Sequence, residues 1–182
     1  MMRVITGTAG GRRLQTLPGE EITRPTSESV KEALFSMIQF EIEDKRVLDL
    51  FAGCGQLGIE ALSRGARVCT FVENSKAAMA VVESNISHCG FNENSQTVFC
   101  DAIGFLSRKG VYDIAFLDPP YHKGLVTAAL PKLAPLMSED GIIACETARD
   151  EILPEEFDGF KTYRSRNYGK VKITLYRKDS NF

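Results

Sequence analysis

The sequence VLDLFAGCGQLGIEAL, residues 47–62, decides the fold of this 182-residue chain. It begins with apolar residues that favour a strand, is interrupted by closely spaced glycines, and then becomes apolar again. This order predicts a buried strand, a tight turn and the start of a helix. Gly53, Gly55 and Gly58 match the pattern G-x-G-x-x-G, in which the missing Cβ atoms let the backbone approach a ligand closely. The pattern serves dinucleotides and S-adenosylmethionine, and in some proteins only a tight turn, so it predicts a nucleotide-like cofactor without identifying it.

The composition is that of an ordinary soluble globular protein, with 43% hydrophobic and 25% charged residues. No apolar run approaches the ~20 residues that a membrane helix needs, and the N-terminal arginines are not followed by the apolar segment of a secretory signal. The five cysteines are an odd number without a C-x-x-C pair, which favours buried core cysteines over disulfides or metal ligands. We therefore expect a cytoplasmic monomer with no membrane contact and no bound metal.

Positive charge is concentrated at the two ends of the chain, although the formal net charge is −2. Residues 1–19 contain three arginines and no acid, and residues 161–178 contain seven basic residues and no acid. This distribution predicts one positive face able to bind phosphates. Lysine and arginine also occur on solvated edge strands, where they block aggregation, and the charge pattern alone does not decide between the two explanations.

The N-terminal residues predict a small basic extension. Two short strands at residues 3–8 and 12–17 flank an Ala-Gly-Gly turn, which indicates a β-hairpin set apart from the core. We divide the chain into this extension, residues 1–23, and one globular domain, residues 24–182.

The rest of the chain alternates between strand and helix patterns. A helix follows the Arg-Pro-Thr sequence at residues 24–26, with Val30, Leu34 and Ile38 on its inward face. After the glycine turn, strands are predicted at residues 67–73, 97–100, 113–117, 141–146, 160–164 and 170–177, and helices at residues 75–88 and 123–137. This order predicts an α/β, Rossmann-like, doubly wound sheet of about seven mostly parallel strands with an antiparallel C-terminal strand.

Acidic residues stand at the carboxyl ends of the first four predicted strands, at Asp49, Glu73, Asp101 and Asp118. Ligands of a doubly wound sheet bind at this edge, near the point where the strand order reverses. A carboxylate at Glu73 accepts hydrogen bonds from the ribose of either a dinucleotide or S-adenosylmethionine, so it does not separate the two cofactors. A nicotinamide-dependent dehydrogenase needs a second half carrying acid–base residues, for which this chain has no room. We expect His122 to lie on the rim of the site.

The sequence Asp118-Pro119-Pro120-Tyr121 is the strongest local signal for the chemistry. The prolines restrict the backbone, so the Asp118 carboxylate and the Pro119 carbonyl are both placed to accept from one amino group. The ring of Tyr121 offers a surface on which a flat base can stack. The exocyclic amine of a nucleobase is a poor nucleophile, because its lone pair is delocalised into the ring. Two acceptors favour a pyramidal nitrogen whose lone pair points at an electrophilic methyl group, so this turn predicts an amine methyltransferase.

Further motifs extend over nearly the whole chain and carry a resemblance to a known family. They are RVI at residues 3–5, GRRL at 11–14, RPT at 24–26, EALF at 32–35, DLFAG at 49–53, GIEALSRGA at 58–66, DPPY at 118–121 and YG at 168–169. On these motifs the chain resembles class I S-adenosylmethionine-dependent methyltransferases, and more closely the RsmD family of 16S ribosomal RNA guanine-N2 methyltransferases.

The resemblance implies methyl transfer from S-adenosylmethionine to the N2 amine of one guanine in 16S ribosomal RNA, with a partly assembled 30S particle as the substrate. Its implied cofactor residues are Asp49, Gly53 and Gly55 for the methionine part, Glu73 for the ribose and Asp101 for the adenine amino group. Its implied catalytic residues are Asp118, Pro119, Pro120 and Tyr121, which hold the target base.

For RNA binding we expect a basic rim above the catalytic turn, formed by Arg3, Arg12, Arg13 and Arg24. These residues lie outside the predicted core, in a segment with no acid before Glu20.

Some residues depart from the family pattern. Cys54 and Gln56 stand where small hydroxyl residues or alanine are usual, and we expect this to leave cofactor binding intact, since the backbone binds the cofactor there. Ser29 and Lys31 stand where arginines are common, which we expect to weaken the basic surface.

Two alternatives stay open. A DNA adenine-N6 methyltransferase uses the same Asp-Pro-Pro-Tyr turn, but such enzymes usually carry a target-recognition domain, and only a short extension lies outside the core here. A non-catalytic S-adenosylmethionine-binding module that associates with RNA would not require the intact turn at residues 118–121.

Overall fold

The computed structural model describes residues 2–17 and 28–178. Within them the helices are α1 (Glu28–Met37), α2 (Gln56–Ser63), α3 (Lys76–Cys89), α4 (Ala102–Phe105) and α5 (Leu125–Leu133), with 3-10 turns at Asn92–Asn94 and Ala134–Leu136. The strands are β1 (Arg46–Asp49), β2 (Val68–Glu73), β3 (Ser95–Phe99), β4 (Tyr112–Leu117), β5 (Met137–Ala148), β6 (Glu156–Phe157), β7 (Phe160–Tyr168) and β8 (Val171–Lys178). None of these helices combines the length and the apolar character that crossing a membrane requires.

The strands form one sheet in the order β3-β2-β1-β4-β5-β8-β7-β6. Strands β1 to β5 are parallel to one another, and β8 pairs antiparallel with both β5 and β7. The strand order reverses between β1 and β4, so the carboxyl ends of these two strands flank the crevice where such sheets bind ligands. The predicted Rossmann-like fold is confirmed. The sheet has one strand more than expected, because Glu156 and Phe157 pair with the start of β7.

The glycine turn between β1 and α2 has the predicted geometry. Gly55 precedes α2 with φ 80°, in the left-handed region that glycine adopts without steric cost. Gly58 allows α2 to pack directly on β2, because a Cβ atom at this position would lie 2.3 Å from Phe71 Cε1 and 2.6 Å from Cys69 Sγ. The close packing of helix and strand therefore requires the third glycine of the motif.

Apolar side chains cover both faces of the sheet. Helices α1, α2 and α3 pack on one face, and α4 and α5 pack on the other. Four of the five cysteines are buried and all five are free, in agreement with their predicted place in the core. Burial raises the pKa of the Cys69 thiol, with a further contribution from nearby Asp49, so this residue stays neutral.

The N-terminal segment, residues 2–17, packs on the core, whereas we expected a hairpin set apart from it. Arg3 and Arg13 form an isolated antiparallel bridge instead of two regular strands. Val4, Ala9 and Leu14 are buried in the apolar cluster of the main domain, and the segment is hydrogen-bonded to α2 through Ser63 and to α3 through the His88 carbonyl. The expected division at residue 23, together with Arg24, lies outside the described residues.

A buried ion pair anchors this segment. The Lys31 Nζ lies 3.3 Å from Glu60 Oε2, and both side chains are 0% exposed. Glu60 also accepts from the backbone N–H groups of Ile5 at 2.8 Å and Thr6 at 3.1 Å, while Lys31 donates to the Arg3 carbonyl at 2.6 Å. Burial lowers the pKa of Lys31, and the Glu60 carboxylate opposes this effect. Lys31 therefore contributes nothing to a basic surface.

Prolines modify the helix that we predicted at residues 123–137. Its helical part begins at Leu125 and ends at Leu133, and a 3-10 turn containing Pro135 follows. Proline lacks the N–H group that an α-helix needs in its interior. The chain then enters β5 at Met137, earlier than expected.

Candidate active site

An open cavity of about 280 Å³ lies at the carboxyl ends of β1, β2 and β3. The polar part of its wall comes from Glu73, Asn74, Ser75 and Asp101. Its remaining wall includes the glycine turn, the Asp-Pro-Pro-Tyr turn, the start of α4 and the N-terminal segment, through Leu50, Phe51, Gly53, Pro120, Ala102 and Leu17. The cavity therefore joins acidic groups to flat apolar surface.

The Glu73 carboxylate ties the end of β2 to the glycine turn. Its Oε2 accepts from the Gly53 N–H at 2.9 Å, and its Oε1 accepts from the N–H groups of Asn74 at 2.9 Å and Ser75 at 2.8 Å. A carboxylate has about four acceptor positions, so these bonds leave capacity for a ligand donor. Glu73 is thus oriented by backbone groups while it still lines the cavity.

Asp101 holds the next loop in place. Its Oδ2 accepts from the Gly104 N–H at 2.8 Å, which caps α4. The residue is exposed and lines the cavity beside Ala102. The arrangement presents a carboxylate at the entrance of the pocket and apolar atoms behind it.

Asp49 and Gly55 build the turn without lining the cavity. Asp49 is buried, and its Oδ2 accepts from the Gly58 N–H at 3.0 Å. Asn85 of α3 supports the same turn by donating to the Cys54 carbonyl at 2.9 Å, and it also donates to the Gln15 carbonyl at 2.9 Å. Asn85 was missed by the sequence analysis, because nothing local marks a helical asparagine as a partner of a distant turn.

The residues of the Asp-Pro-Pro-Tyr turn follow β4 and reach the cavity through Pro120. Asp118 is 4% exposed and Pro119 is buried, whereas Pro120 is exposed and Tyr121 is half-buried. The Asp118 carboxylate is therefore buried two residues before the proline that lines the cavity, and Asp118, Pro119 and Tyr121 are not part of its wall.

Glu146, at the end of β5, holds the tyrosine of this turn. The Tyr121 hydroxyl donates to Glu146 Oε1 at 2.8 Å, and Glu146 is 2% exposed. Glu146 was also missed by the sequence analysis. A signal was available, since it continues the series of acids at strand ends that includes Asp49, Glu73 and Asp118.

His122 is not part of the cavity lining, and its expected place on the rim stays a prediction. It is exposed, its backbone N–H donates to Glu151 Oε1 at 3.1 Å, and its Nε2 is 3.7 Å from Asp150 Oδ1.

The N-terminal arginines do not all lie where we expected them. Arg12 donates to the His88 carbonyl at 2.7 Å, near the last residue of α3. Ser75, at the other end of that helix, lines the cavity, and a helix of this length spans ~20 Å. Arg12 therefore lies towards the amino ends of the parallel strands, away from the cavity, and not on the rim of the cavity. Arg3 pairs with Glu28 at 3.1 Å and Arg13 is exposed; their contact with RNA stays a prediction.

A family model described as Conserved hypothetical protein 95 matches residues 2–177. The chain belongs to this family. The predicted resemblance to the RsmD family is confirmed, since relatives over nearly the whole chain bear that family's name.

Named relatives cover the chain almost end to end. "Putative rRNA methyltransferase YlbH" of Bacillus subtilis is 38% identical, over 97% of this chain and 99% of that protein. "Ribosomal RNA small subunit methyltransferase D" of Escherichia coli is 32% identical, over 98% of this chain and 91% of that protein. Among solved structures, "Putative methyltransferase yhhF from Escherichia coli" superposes with a TM-score of 0.85 at 32% identity, over 97% of both chains.

Proposed function

We propose that this protein transfers a methyl group from S-adenosylmethionine to the exocyclic N2 amine of a guanine in 16S ribosomal RNA. One observation carries the proposal: the cavity lined by Gly53, Glu73 and Asp101 opens directly onto Pro120 of the Asp-Pro-Pro-Tyr turn. A nucleoside-binding pocket and a site for an amino group are thus continuous. The names of the relatives from Escherichia coli and Bacillus subtilis support ribosomal RNA as the substrate.

The residues of the cavity fit the cofactor. Glu73 is oriented by three backbone bonds and retains acceptor capacity for a ribose hydroxyl. Asp101 is placed to accept from the adenine amino group beside the apolar Phe51 and Ala102. Gly53, with φ 58°, keeps the turn free of a side chain where the methionine part would lie. When bound, S-adenosylmethionine supplies an electrophilic methyl group on a sulfonium.

The catalytic turn acts on the target amine. We assign the Asp118 carboxylate and the Pro119 carbonyl as acceptors of its two hydrogens, which favours a pyramidal nitrogen with its lone pair directed towards the cofactor side of the cavity. Tyr121 provides the ring on which the base stacks. The proton leaves the amine after transfer, so no general base has to act first. Reaching this site requires a guanine in a loop or one flipped out of its helix.

The fuller assignment extends to the substrate particle. We propose that a partly assembled 30S particle presents the guanine, because a few salt-sensitive phosphate contacts supply only modest affinity for naked RNA.

The test is methyl incorporation from labelled S-adenosylmethionine into 16S ribosomal RNA, 30S subunits and DNA, followed by mapping of the modified base. We expect Asp118→Ala to lower kcat by ~10²–10³, as for other lost transition-state contacts, while calorimetry shows normal cofactor binding. Glu73→Ala is expected to weaken cofactor binding. Asp140→Ala, an exposed acid at the opposite edge, is the matched control. Modification of DNA alone, or turnover of Asp118→Ala within a few-fold of normal, contradicts the proposal.

A further inference from the structure

The hairpin of β7 and β8 carries positive charge without any acid. Residues 160–178 include seven lysines and arginines. Three of these cations bind acids or carbonyls in other parts of the chain, namely Lys172, Arg177 and Lys178. Arg166 and Lys170 are exposed, and the half-buried Arg164 lies with its guanidinium carbon 5.3 Å from the centre of the Tyr163 ring. The hairpin therefore presents cations to solvent.

The strand register places Arg166 beside the catalytic turn. Arg166 is opposite Ile173 of β8, and Ile173 is opposite Glu146 of β5. Glu146 is the acceptor for the Tyr121 hydroxyl. Neighbouring strands are ~4.8 Å apart, so the Cα of Arg166 lies ~10 Å from that of Glu146 across two strand spacings. Because residues opposite each other share a face of the sheet, an extended Arg166 side chain lies on the same face as the Tyr121–Glu146 pair.

The tip of the hairpin brings two more cations to the same edge. Gly169, with φ 60°, and Lys170 form the turn closed by the pair Tyr168–Val171. The Lys170 carbonyl accepts from the Arg149 N–H at 2.8 Å, and Arg149 directly follows the carboxyl end of β5. Lys170 and Arg149 thus lie just beyond the strand ends, at the edge that carries the catalytic turn.

We propose that Arg149, Arg166 and Lys170 form a docking surface for the phosphates of the RNA strand that flanks the target base. The inference rests on the proposed function and adds the place where the substrate backbone lies. Their charge is complementary to phosphate, and the hairpin itself contains no competing acid. Asp150 is adjacent to Arg149, but its carboxylate faces His122.

Protection of an exposed strand edge explains only part of this charge. Strand β6 pairs with β7 only at Lys161 and Phe160, so Arg164 and Arg166 lie where the edge is open and where cations discourage aggregation. Lys170 lies in a turn and Arg149 in a loop, beyond any strand edge. Phosphate binding explains why Lys170 and Arg149 lie beside the catalytic turn, whereas protection of a strand edge does not.

The test compares two charge-matched double variants. Arg166→Gln with Lys170→Gln removes two cations of the docking surface. Lys109→Gln with Lys132→Gln removes two exposed lysines near the opposite edge, before β4 and in the last turn of α5. Binding of a labelled 16S ribosomal RNA transcript is measured at several salt concentrations, together with KM and kcat for methyl transfer.

Removing two phosphate contacts is expected to make the slope of log affinity against log salt shallower by ~1.4–1.8. KM for RNA rises several-fold, while kcat and cofactor binding stay unchanged. The lysine control keeps the slope of the unaltered protein. The charge-conserving pair Arg166→Lys with Lys170→Arg restores the slope, which separates lost charge from disturbed folding.

An unchanged slope in the first variant, or an equal change in both glutamine variants, overturns the inference. Self-association of the first variant in light scattering with an unchanged slope also overturns it, in favour of edge protection. If the unaltered protein methylates no RNA, the proposed function itself fails, and this result is distinct from the others.

Discussion

The hydrogen bond between Tyr121 and Glu146 gives the sharpest test of the proposed stacking of the target base on Tyr121. Tyr121→Phe removes the hydroxyl that donates to Glu146 Oε1 at 2.8 Å and keeps the ring. Glu146→Gln removes the charge and keeps the shape of the side chain. If the bond fixes the orientation of the ring for stacking, both changes loosen the same contact and their effects are not additive.

The burial of Glu146 sets the size of the expected fall in kcat/KM for RNA. A hydrogen bond to a charged group contributes ~1.5–3 kcal/mol, and at 2% exposure water does not replace the lost partner of Glu146. If the whole amount is expressed in the transition state, kcat/KM for RNA falls by ~10- to 150-fold. Tyr121→Ala is expected to lose more, because stacking of one base on an aromatic ring contributes a further ~1–3 kcal/mol.

The assay is kcat/KM for RNA methylation in the unaltered protein, the two single variants and the double variant. We expect the double variant to lose little more than the worse single variant. Cofactor affinity should be unchanged throughout. Tyr112→Phe, a half-buried tyrosine at the amino end of β4, is the matched control. Full activity of Tyr121→Phe, or additive losses in the double variant, refutes the reasoning.

Three further changes test the framework of the site by chemical denaturation. Lys31→Met removes one of the two cations that pair with the buried Glu60, leaving Arg64 at 2.8 Å, and should lower the free energy of unfolding by ~1–3 kcal/mol. Gly58→Ala places a Cβ 2.3 Å from Phe71 Cε1 and should cost ~1–3 kcal/mol through overpacking. Hydrogen bonds from Arg46 hold the pKa of Asp113 well below its ordinary value. The contribution of Asp113 to the free energy of unfolding is therefore present above pH ~4 and is lost as the pH falls. Asp113→Asn should cost ~1–2 kcal/mol at neutral pH and flatten this acid dependence.

Each of these changes has a control elsewhere in the chain. Arg3→Ala breaks an exposed ion pair and should cost less than ~1 kcal/mol. Gly104→Ala places its Cβ no closer than 3.5 Å to Asp101 Oδ2, an ordinary contact. Asp140→Asn alters an exposed acid and should leave the acid dependence unchanged. Equal losses in a variant and its control would show that the named contact is not the cause.

Much of the framework was predictable because it depends on local patterns. The apolar run and glycines at residues 47–62 specify strand, turn and helix through spacing alone. Ser75 and Asp101 cap the helices that follow them by accepting from backbone N–H groups three residues on. Acids at strand ends converge wherever parallel strands share an edge, which explains why Glu73 and Asp101 line one cavity.

Other features depended on contacts between distant parts of the chain. The pairs Lys31–Glu60 and Tyr121–Glu146 unite residues whose local sequence gives no sign of their partners. The position of Arg12 at the far end of α3 follows from the path of the N-terminal segment over α2 and α3. Sequence by itself determined the strands and helices around the glycine turn and the chemical groups that end them, because hydrogen bonds within a turn and apolar spacing act over a few residues. Only the tertiary structure decided which polar groups are buried together and which cations lie at the carboxyl edge of the sheet, because those outcomes depend on how packing excludes water between segments far apart in the chain.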